Sequence, residues 1–332
     1  MHFVAMQRAE ATIAGLGAQI APWREIAPAF VAALRSAVGF DCYCLCQDDP
    51  IAGMPAAGVA DNHVIASQQR RFWQIETQVP DVTSCEYLVG AATPVTVLSV
   101  ATGGNLARSP RWAELLGPGG IGDELRARLV IDGQWWASLS LYRERGSPAF
   151  TEQDAATITR VARPIAVAAR AAWTTPAPAS PPPPGTVLVS ADGRTISATA
   201  SAWTLLRQLD PVHVDEGAII SAAAARLSAP DRAGQHAISL RSLARGIDGG
   251  WIQLDANRLD APAGEASIAI TVQPAAPEAV TELLMRAYTL TTRERQVLRL
   301  ALAGATTADI GAELFLSRHT VSDHLKSIFT KT

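Results

Sequence analysis

The chain has 332 residues, 48% of them hydrophobic and 18% charged, with a formal net charge of −3 and a sequence pI near 6.1. This is the composition of a folded protein of two or three domains, and it excludes a chain that coats nucleic acid through bulk positive charge. No run approaches the roughly eighteen apolar residues of a membrane span, and the first residues lack a secretory pattern, so a cytoplasmic protein without membrane partners is expected.

Residues 7–38 read as two helices parted by Pro22, with Ile26, Phe30, Val31 and Leu34 forming one stripe of the second. Residues 40–47 read as a strand that carries Cys42, Cys44 and Cys46 on one face. In a cytoplasmic protein these thiols are expected to be reduced. Same-face neighbours in a strand lie nearly 7 Å apart, too far for sulfurs sharing a zinc at about 2.3 Å each. Packing as small hydrophobes is therefore expected, with a redox role the second option.

Residues 48–90 are poorly patterned, 69–73 being the most helical part, and form a segment long enough for a lid. Residues 126–131 and 134–142 then read as strands flanking Asp132-Gly133, a strong hairpin signal. Trp135 and Trp136 are adjacent on a strand, so one faces the core and the other the opposite side, against a cleft or the first helices. Thr151 with an acidic residue at N3 approaches a capping box. The helix it opens runs to about Trp173, with Ile158, Val161, Ile165 and Ala169 inward.

Residues 174–185 hold Pro176, Pro178 and the run Pro181 to Pro184, a stiff polyproline II spacer at about 3.1 Å per residue. Residues 186–275 read as a second α+β domain. Strands at 187–189 and 195–197 flank Asp192-Gly193, helices follow around 202–209 and 219–227, and strands at 236–240, 251–254 and 268–272 complete it. His213 and His236 are isolated and read as structural. Residues 276–289 form an amphipathic connecting helix with Val280, Leu283, Leu284 and Ala287 on one face.

The final stretch carries three short apolar periodicities: Val297, Leu298, Leu300 and Leu302; Ile310 and Leu314; Val321, Leu325 and Ile328. Residues 315–317 are only a tight turn, so the last two helices make a helix-turn-helix whose second helix is built for a DNA major groove. Ser317 is its N-cap, placing the first N–H groups near a phosphate. Ser322, Asp323 and Lys326 lie opposite the apolar stripe, and Arg318, His319 and Lys331 add positive charge. The chain's two lysines, Lys326 and Lys331, both fall in this helix.

Leu290-Thr291-Thr292-Arg293-Glu294, Val297-Leu298, Gly304, Asp309-Ile310, Leu314, Ser317, Thr320-Val321, His324, Ile328 and Lys331 resemble the DNA-binding domain of LuxR-type (GerE-type) regulators. The resemblance implies double-stranded DNA as partner, with Ser322, Asp323 and Lys326 facing the groove. Ser317, Arg318, Thr320 and His324 then lie near the backbone or hold the helix, and Lys331 completes the expected DNA-binding set. Two residues depart from the family: Thr307 replaces a usual Asn, and Asp323 puts a carboxylate at the groove, where it needs a donor such as a cytosine N4 amine. The family's fourth helix has no counterpart before Thr332, so residues 290–332 are expected to be a truncated domain, either a fragment or a weak binder whose helices fray.

Paired helices, a mixed sheet, a late hairpin and a Phe-Thr-capped returning helix over residues 8–173 resemble a GAF domain, and residues 186–275 resemble a PAS-like core. The expected fold is thus α+β multidomain: a GAF-like mixed sheet with helices (1–173), a PAS-like α+β middle domain and an all-α helix-turn-helix. The function this implies is a one-component transcriptional regulator. A homodimer reads inverted half-sites, an unknown small-molecule or redox effector acts on the N-terminal domains, and no enzyme activity, metal or cofactor is expected. Two alternatives stand: a GAF-type thiol enzyme using Cys85, and an adaptor whose terminal helices bind protein. P-loop, H-E-x-x-H and G-x-S-x-G motifs are absent from the sequence, as is the β-α alternation of a phosphoacceptor receiver domain.

Overall fold

Pro22 divides the N-terminal helices as the sequence indicates, into α1 (His2–Gly17) and α2 (Trp23–Ala37). The computed structural model describes residues 2–84, 87–88, 94–175, 183–190, 192–209, 216–229, 237–247, 249–259 and 267–332. Cys85, His213, His236 and the proline-rich centre of the spacer, residues 176–182, lie outside the described residues.

β1 (Cys42–Asp49) and β2 (Met54–Asp61) pair antiparallel. β2 falls within the stretch that lacked a pattern. It is an edge strand of the sheet, where Pro55 costs no ladder bond, and its Pro-Ala-Ala-Gly composition hides it from β-propensity. Short α3 (His63–Ala66) and α4 (Gln69–Gln78) follow, then β3 (Val95–Val97) and α5 (Leu98–Ala101). β4 (Ile121–Ile131) and β5 (Gln134–Glu144) form the expected hairpin. Asp132 (φ 51°) and Gly133 (φ 74°) both take the left-handed region that a type I′ turn demands. Thr151 opens α6 (Glu152–Ala172) with a full capping box to Asp154.

The first sheet runs β2-β1-β5-β4-β3. It was expected to be mixed, but every described pairing is antiparallel. A parallel neighbour needs a crossover of a dozen or more residues, and here β1–β2 and β4–β5 are simple hairpins. Leu45, Leu139 and Ala127 are cross-strand partners, as are Leu141 and Leu125, and all are buried. α6 packs on β4 and β5 and on α1. Gly17 lets the α1 backbone approach α6, because a Cβ there would lie 2.7 Å from Pro164.

The second sheet runs β7-β6-β10-β9-β8, again antiparallel, from β6 (Gly185–Ser190), β7 (Thr195–Ala198), β8 (Ser239–Arg245), β9 (Trp251–Leu259) and β10 (Ser267–Pro274). Numbered within its own sheet, each has the order second-first-fifth-fourth-third. Between β7 and β8 come α7 (Ala200–Leu206) and α8 (Glu216–Ser228). The two sheets belong to one compact unit, residues 1–276. Both sides of the proline segment are held to it: Trp173 stacks on Trp251 at 5.4 Å, Arg245 bonds Thr175 Oγ1 at 2.7 Å, and Asp49 accepts from the Leu243 N–H at 2.8 Å.

Residues 277–332 form the second compact unit: α9 (Pro277–Ala287), α10 (Thr292–Leu302), α11 (Thr307–Leu314) and α12 (Arg318–Lys331). α9, expected as a connector, is part of this unit. Its Met285 joins Leu290, Val297, Ile310, Val321 and Ile328 in one core, and Glu282 pairs with Arg299 at 2.5 Å.

Candidate DNA interface and sensor cavity

Three side-chain caps set the C-terminal helices. Thr291 with Glu294 and Thr306 with Asp309 make capping boxes, and Ser317 Oγ accepts from the Thr320 N–H at 3.0 Å. α11 ends in a Schellman motif: the Leu316 N–H reaches Gly311 O at 2.8 Å and the Phe315 N–H reaches Ala312 O at 3.4 Å, with Phe315 left-handed at φ 55°. Gly311 makes the turn possible, because a Cβ there would lie 2.8 Å from Leu316 O. That glycine was missed in the sequence, since nothing in its spacing marks a close backbone approach.

On α12, Val321 and Ile328 are buried and Leu325 packs against the same core. Arg318, His319, Asp323 and Lys326 are exposed, and Ser322, Thr320 and His324 are half-buried. Asp323 lies 3.5 Å from His319 and 3.9 Å from Lys326, with side-chain exposures of 55%, 85% and 78%. Lys331 differs from the other expected contacts. Its Nζ bonds both Glu294 oxygens at 2.7 Å, and Ser327 donates to Glu294 at 2.6 Å. Burial alone would raise the Glu294 carboxyl, but Lys331, Ser327 and Thr291 hold it down at about 2.

In the first unit, a cavity of about 350 Å³ lies over one face of the first sheet. Its floor is two cross-strand rows. Ala60, Cys44, Ser140 and Arg126 make one, and Gly58, Cys46, Ser138 and Arg128 make the other. α3 and α4 contribute Ile65, Phe72 and Trp73 to its walls, and Ala218 comes from α8 of the second sheet's domain. Trp135 also lines it, whereas Trp136 is buried. The β4–β5 ladder shifts register between Leu129 and Val130, leaving Trp136 as the extra residue between Trp135 and Ala137, so Trp135 and not Trp136 lines the cavity with Ser138 and Ser140.

Charge on this floor is buried and paired. Asp48 accepts from Trp135 Nε1 and from Arg128 at 3.3 Å, and the Arg128 guanidinium lies 3.3 Å from the Trp135 ring centroid. Burial pushes the Asp48 carboxyl up against the opposing pull of Arg128, Trp135 and Ser138. Beside it, Arg111 bonds Glu124 at 2.6 Å, Thr83 at 2.6 Å and Glu76 at 3.2 Å, while Arg126 reaches Glu76 at 3.0 Å. Despite burial and the nearby Arg126, the carboxylates of Glu124, Glu76 and Asp81 hold the Arg111 guanidinium above its ordinary value. Glu76 belongs to α4, so this cluster pins the cavity wall to β4.

The cysteines depart from their expected separation. Cys44 Sγ and Cys46 Sγ are 3.4 Å apart. Strand spacing put these thiols too far apart to share one atom, but the side chains lean together, and Gly58 leaves room, since a Cβ there would lie 2.9 Å from Cys46 Sγ. Cys42 packs instead with Leu116, Ile121 and Tyr142. Among the described residues no three His, Cys, Asp or Glu groups are placed to hold a metal ion, and no helix is long and apolar enough to cross a membrane.

Residues 22–169 match the GAF domain family model, and residues 288–332 match that of bacterial regulatory proteins, luxR family. No curated protein matches the chain. Among solved structures it is similar to the chromophore-binding domain of an unusual bacteriophytochrome, RpBphP3, from R. palustris, at 16% identity and TM-score 0.29, over 48% of this chain and 59% of that one. It is also similar to bacteriophytochrome RpBphP3 from the photosynthetic bacterium R. palustris, at 12% identity and TM-score 0.32, over 82% of this chain and 62% of that one. The chain thus spans 59% and 62% of the lengths of those two chains. It carries a GAF domain and, C-terminal to it, the helix-turn-helix DNA-binding domain of LuxR-type regulators.

Proposed function

We propose that this chain is a one-component, cytoplasmic transcriptional regulator in which a small molecule in the GAF cavity controls how two copies of the helix-turn-helix engage DNA. The observation that carries the DNA reading is the polarity of α12: Val321 and Ile328 are buried, while Arg318, Asp323 and Lys326 stand exposed on a Ser317-capped helix. In this reading Ser322, Asp323 and Lys326 face base edges. Ser317, Arg318, Thr320 and His324 meet the phosphate backbone. Lys331 acts through Glu294, tying the end of α12 to the start of α10.

A two-fold homodimer would read inverted half-sites, because operator symmetry follows protein symmetry. The order of the second sheet, with a strand pair, helices and three antiparallel strands, supports a PAS-like middle domain. The cavity's mixture of apolar walls and a few buried polar groups is that of a small-molecule site. No residue is assigned a catalytic role.

Gel shifts of the full chain on genomic fragments across a salt series test the DNA reading. Phosphate contacts impose a steep loss of affinity with salt, and binding that is absent or indifferent to salt overturns it. Thermal shift of the full chain against metabolite pools tests the effector reading. Stabilisation that survives filling the cavity with Ser140→Trp would place the ligand elsewhere.

A further inference from the structure

Two thiols meet in the cavity wall, and the chemistry of that pair is more specific than the cavity's shape. Cys44 and Cys46 alternate on β1, so both point to the cavity face, and their sulfurs are 3.4 Å apart. Cys44 is half-buried and Cys46 buried, neither in a disulfide. Residues two apart in an extended strand have Cα atoms about 6.6 Å apart, the far end of the range a disulfide spans. A third atom between the sulfurs fits better. Two bonds of about 2.3 Å, the length of a metal–thiolate bond, across 3.4 Å subtend about 95°.

That angle is narrower than the tetrahedral one, and it suits a pyramidal three-coordinate centre. A closed zinc site needs four ligands, whereas Cys42 packs with Leu116 and Tyr142 and no third ligand group joins the pair among the described residues. The missing position must come from the ligand itself. The same cavity is lined by Ile65, Phe72, Trp73 and Trp135, which give it apolar surface for an organic substituent. The two sulfurs share one hydrogen bond, in which either can donate; it holds the Cys44 thiol down, while the same bond and burial push Cys46 up.

We propose that Cys44 and Cys46 form a chelating site for a monosubstituted trivalent arsenical, whose organic group lies in the GAF cavity. The reaction is a condensation without redox change: R–As=O and two thiols give R–As(S)₂ and one water. Two As–S bonds form, the As=O bond and two S–H bonds are lost, and the thiol protons leave on the oxygen. This extends the reading of the cavity as an effector site but is tested apart from DNA, so its failure leaves that reading standing.

The probe is phenylarsine oxide, titrated into the reduced full chain, read by native mass and by the fluorescence of Trp73 and Trp135. One equivalent is expected to bind with the mass of the arsenical less water, and excess small dithiol is expected to remove it. Cys44→Ser and Cys46→Ala are each expected to weaken binding by about 100-fold or more, since a two-point attachment becomes one-point. Cys42→Ser is expected to bind as the parent. Gly58→Ala, which crowds Cys46 Sγ, is expected to weaken binding with both thiols intact, and it covers the case in which a cysteine variant misfolds. Unchanged affinity in Cys44→Ser or Cys46→Ala, or loss of binding in Cys42→Ser, overturns the proposal.

Discussion

The contact that most shapes the DNA-binding unit is Glu294, and replacing it with Gln isolates its charge. Its carboxylate accepts from Lys331 at 2.7 Å, Ser327 at 2.6 Å and the Thr291 N–H at 2.7 Å, with its side chain only 5% exposed. Lys331, Ser327 and Thr291 hold the carboxyl at about 2, against an ordinary 4.5. The folded value is depressed, so the contribution is fully present above about pH 4.5 and is lost as pH falls through about 2. Its size is about 3 kcal/mol, a large share of what a unit this small holds. Gln mimics the protonated acid, keeping the shape and an acceptor oxygen while losing the charge. Native-state hydrogen exchange at the Val297, Val321 and Ile328 amides of the full chain is the assay. At pH 7 the variant is expected to open more easily by about 3 kcal/mol, and at pH 3 the gap should fall below half of that. A gap under about 0.5 kcal/mol at pH 7, or one that ignores pH, refutes the reasoning.

Other outcomes follow from the same unit and from the cavity's charge cluster. Lys326→Ala should reduce the salt slope of DNA binding by about one if its contact is to phosphate, or cost about 1–3 kcal/mol at specific sites alone if it reads a base; unchanged binding on every DNA rejects both. Asp323→Ala should raise non-specific affinity and relax the base profile at one position, as selection on randomised sites would report, whereas tighter binding with the same profile leaves the carboxylate as mere repulsion. Gly311→Ala should destabilise the C-terminal unit by about 1–3 kcal/mol through crowding of Leu316 O, seen as faster exchange on α12 and not in residues 1–276. Arg111→Met removes the cation nearest Asp81 and leaves Glu124 and Glu76 with Arg126 in place of two guanidinium groups, and should cost about 3–5 kcal/mol, measured by denaturant unfolding of the first unit.

Much of the helical architecture was legible because its signals are local. Thr151 with Asp154, and Ser317 before Arg318, act within one turn, and Asp132-Gly133 fixes its hairpin by backbone conformation alone. β2 was hidden because its Pro, Ala and Gly residues carry little β-propensity, although its partner is the adjacent β1. The floor of the cavity was hidden for a different reason. Arg126 and Arg128 carry no local signal; cross-strand register sets them beside Ser140 and Ser138, in line with the cysteines. The cysteines show the limit most plainly, since a spacing rule for Cα atoms says nothing about where two Sγ atoms lean. α9 read as a connector because periodicity reveals an apolar face but not what that face meets, which here includes the core around Val297.

Ala218 stands in the wall of the GAF cavity although it belongs to the domain beyond the proline segment. The sensor is therefore not a portable cassette. A chimera joined between residues 173 and 185 would import a pocket with one side missing and expose the Asp49 carboxylate that Leu243 otherwise satisfies. For the same reason, the cavity can be reshaped from α8 as well as from the GAF sheet. Swaps that keep it whole must carry residues 1–276 as one inheritance, leaving the graft point at Pro277.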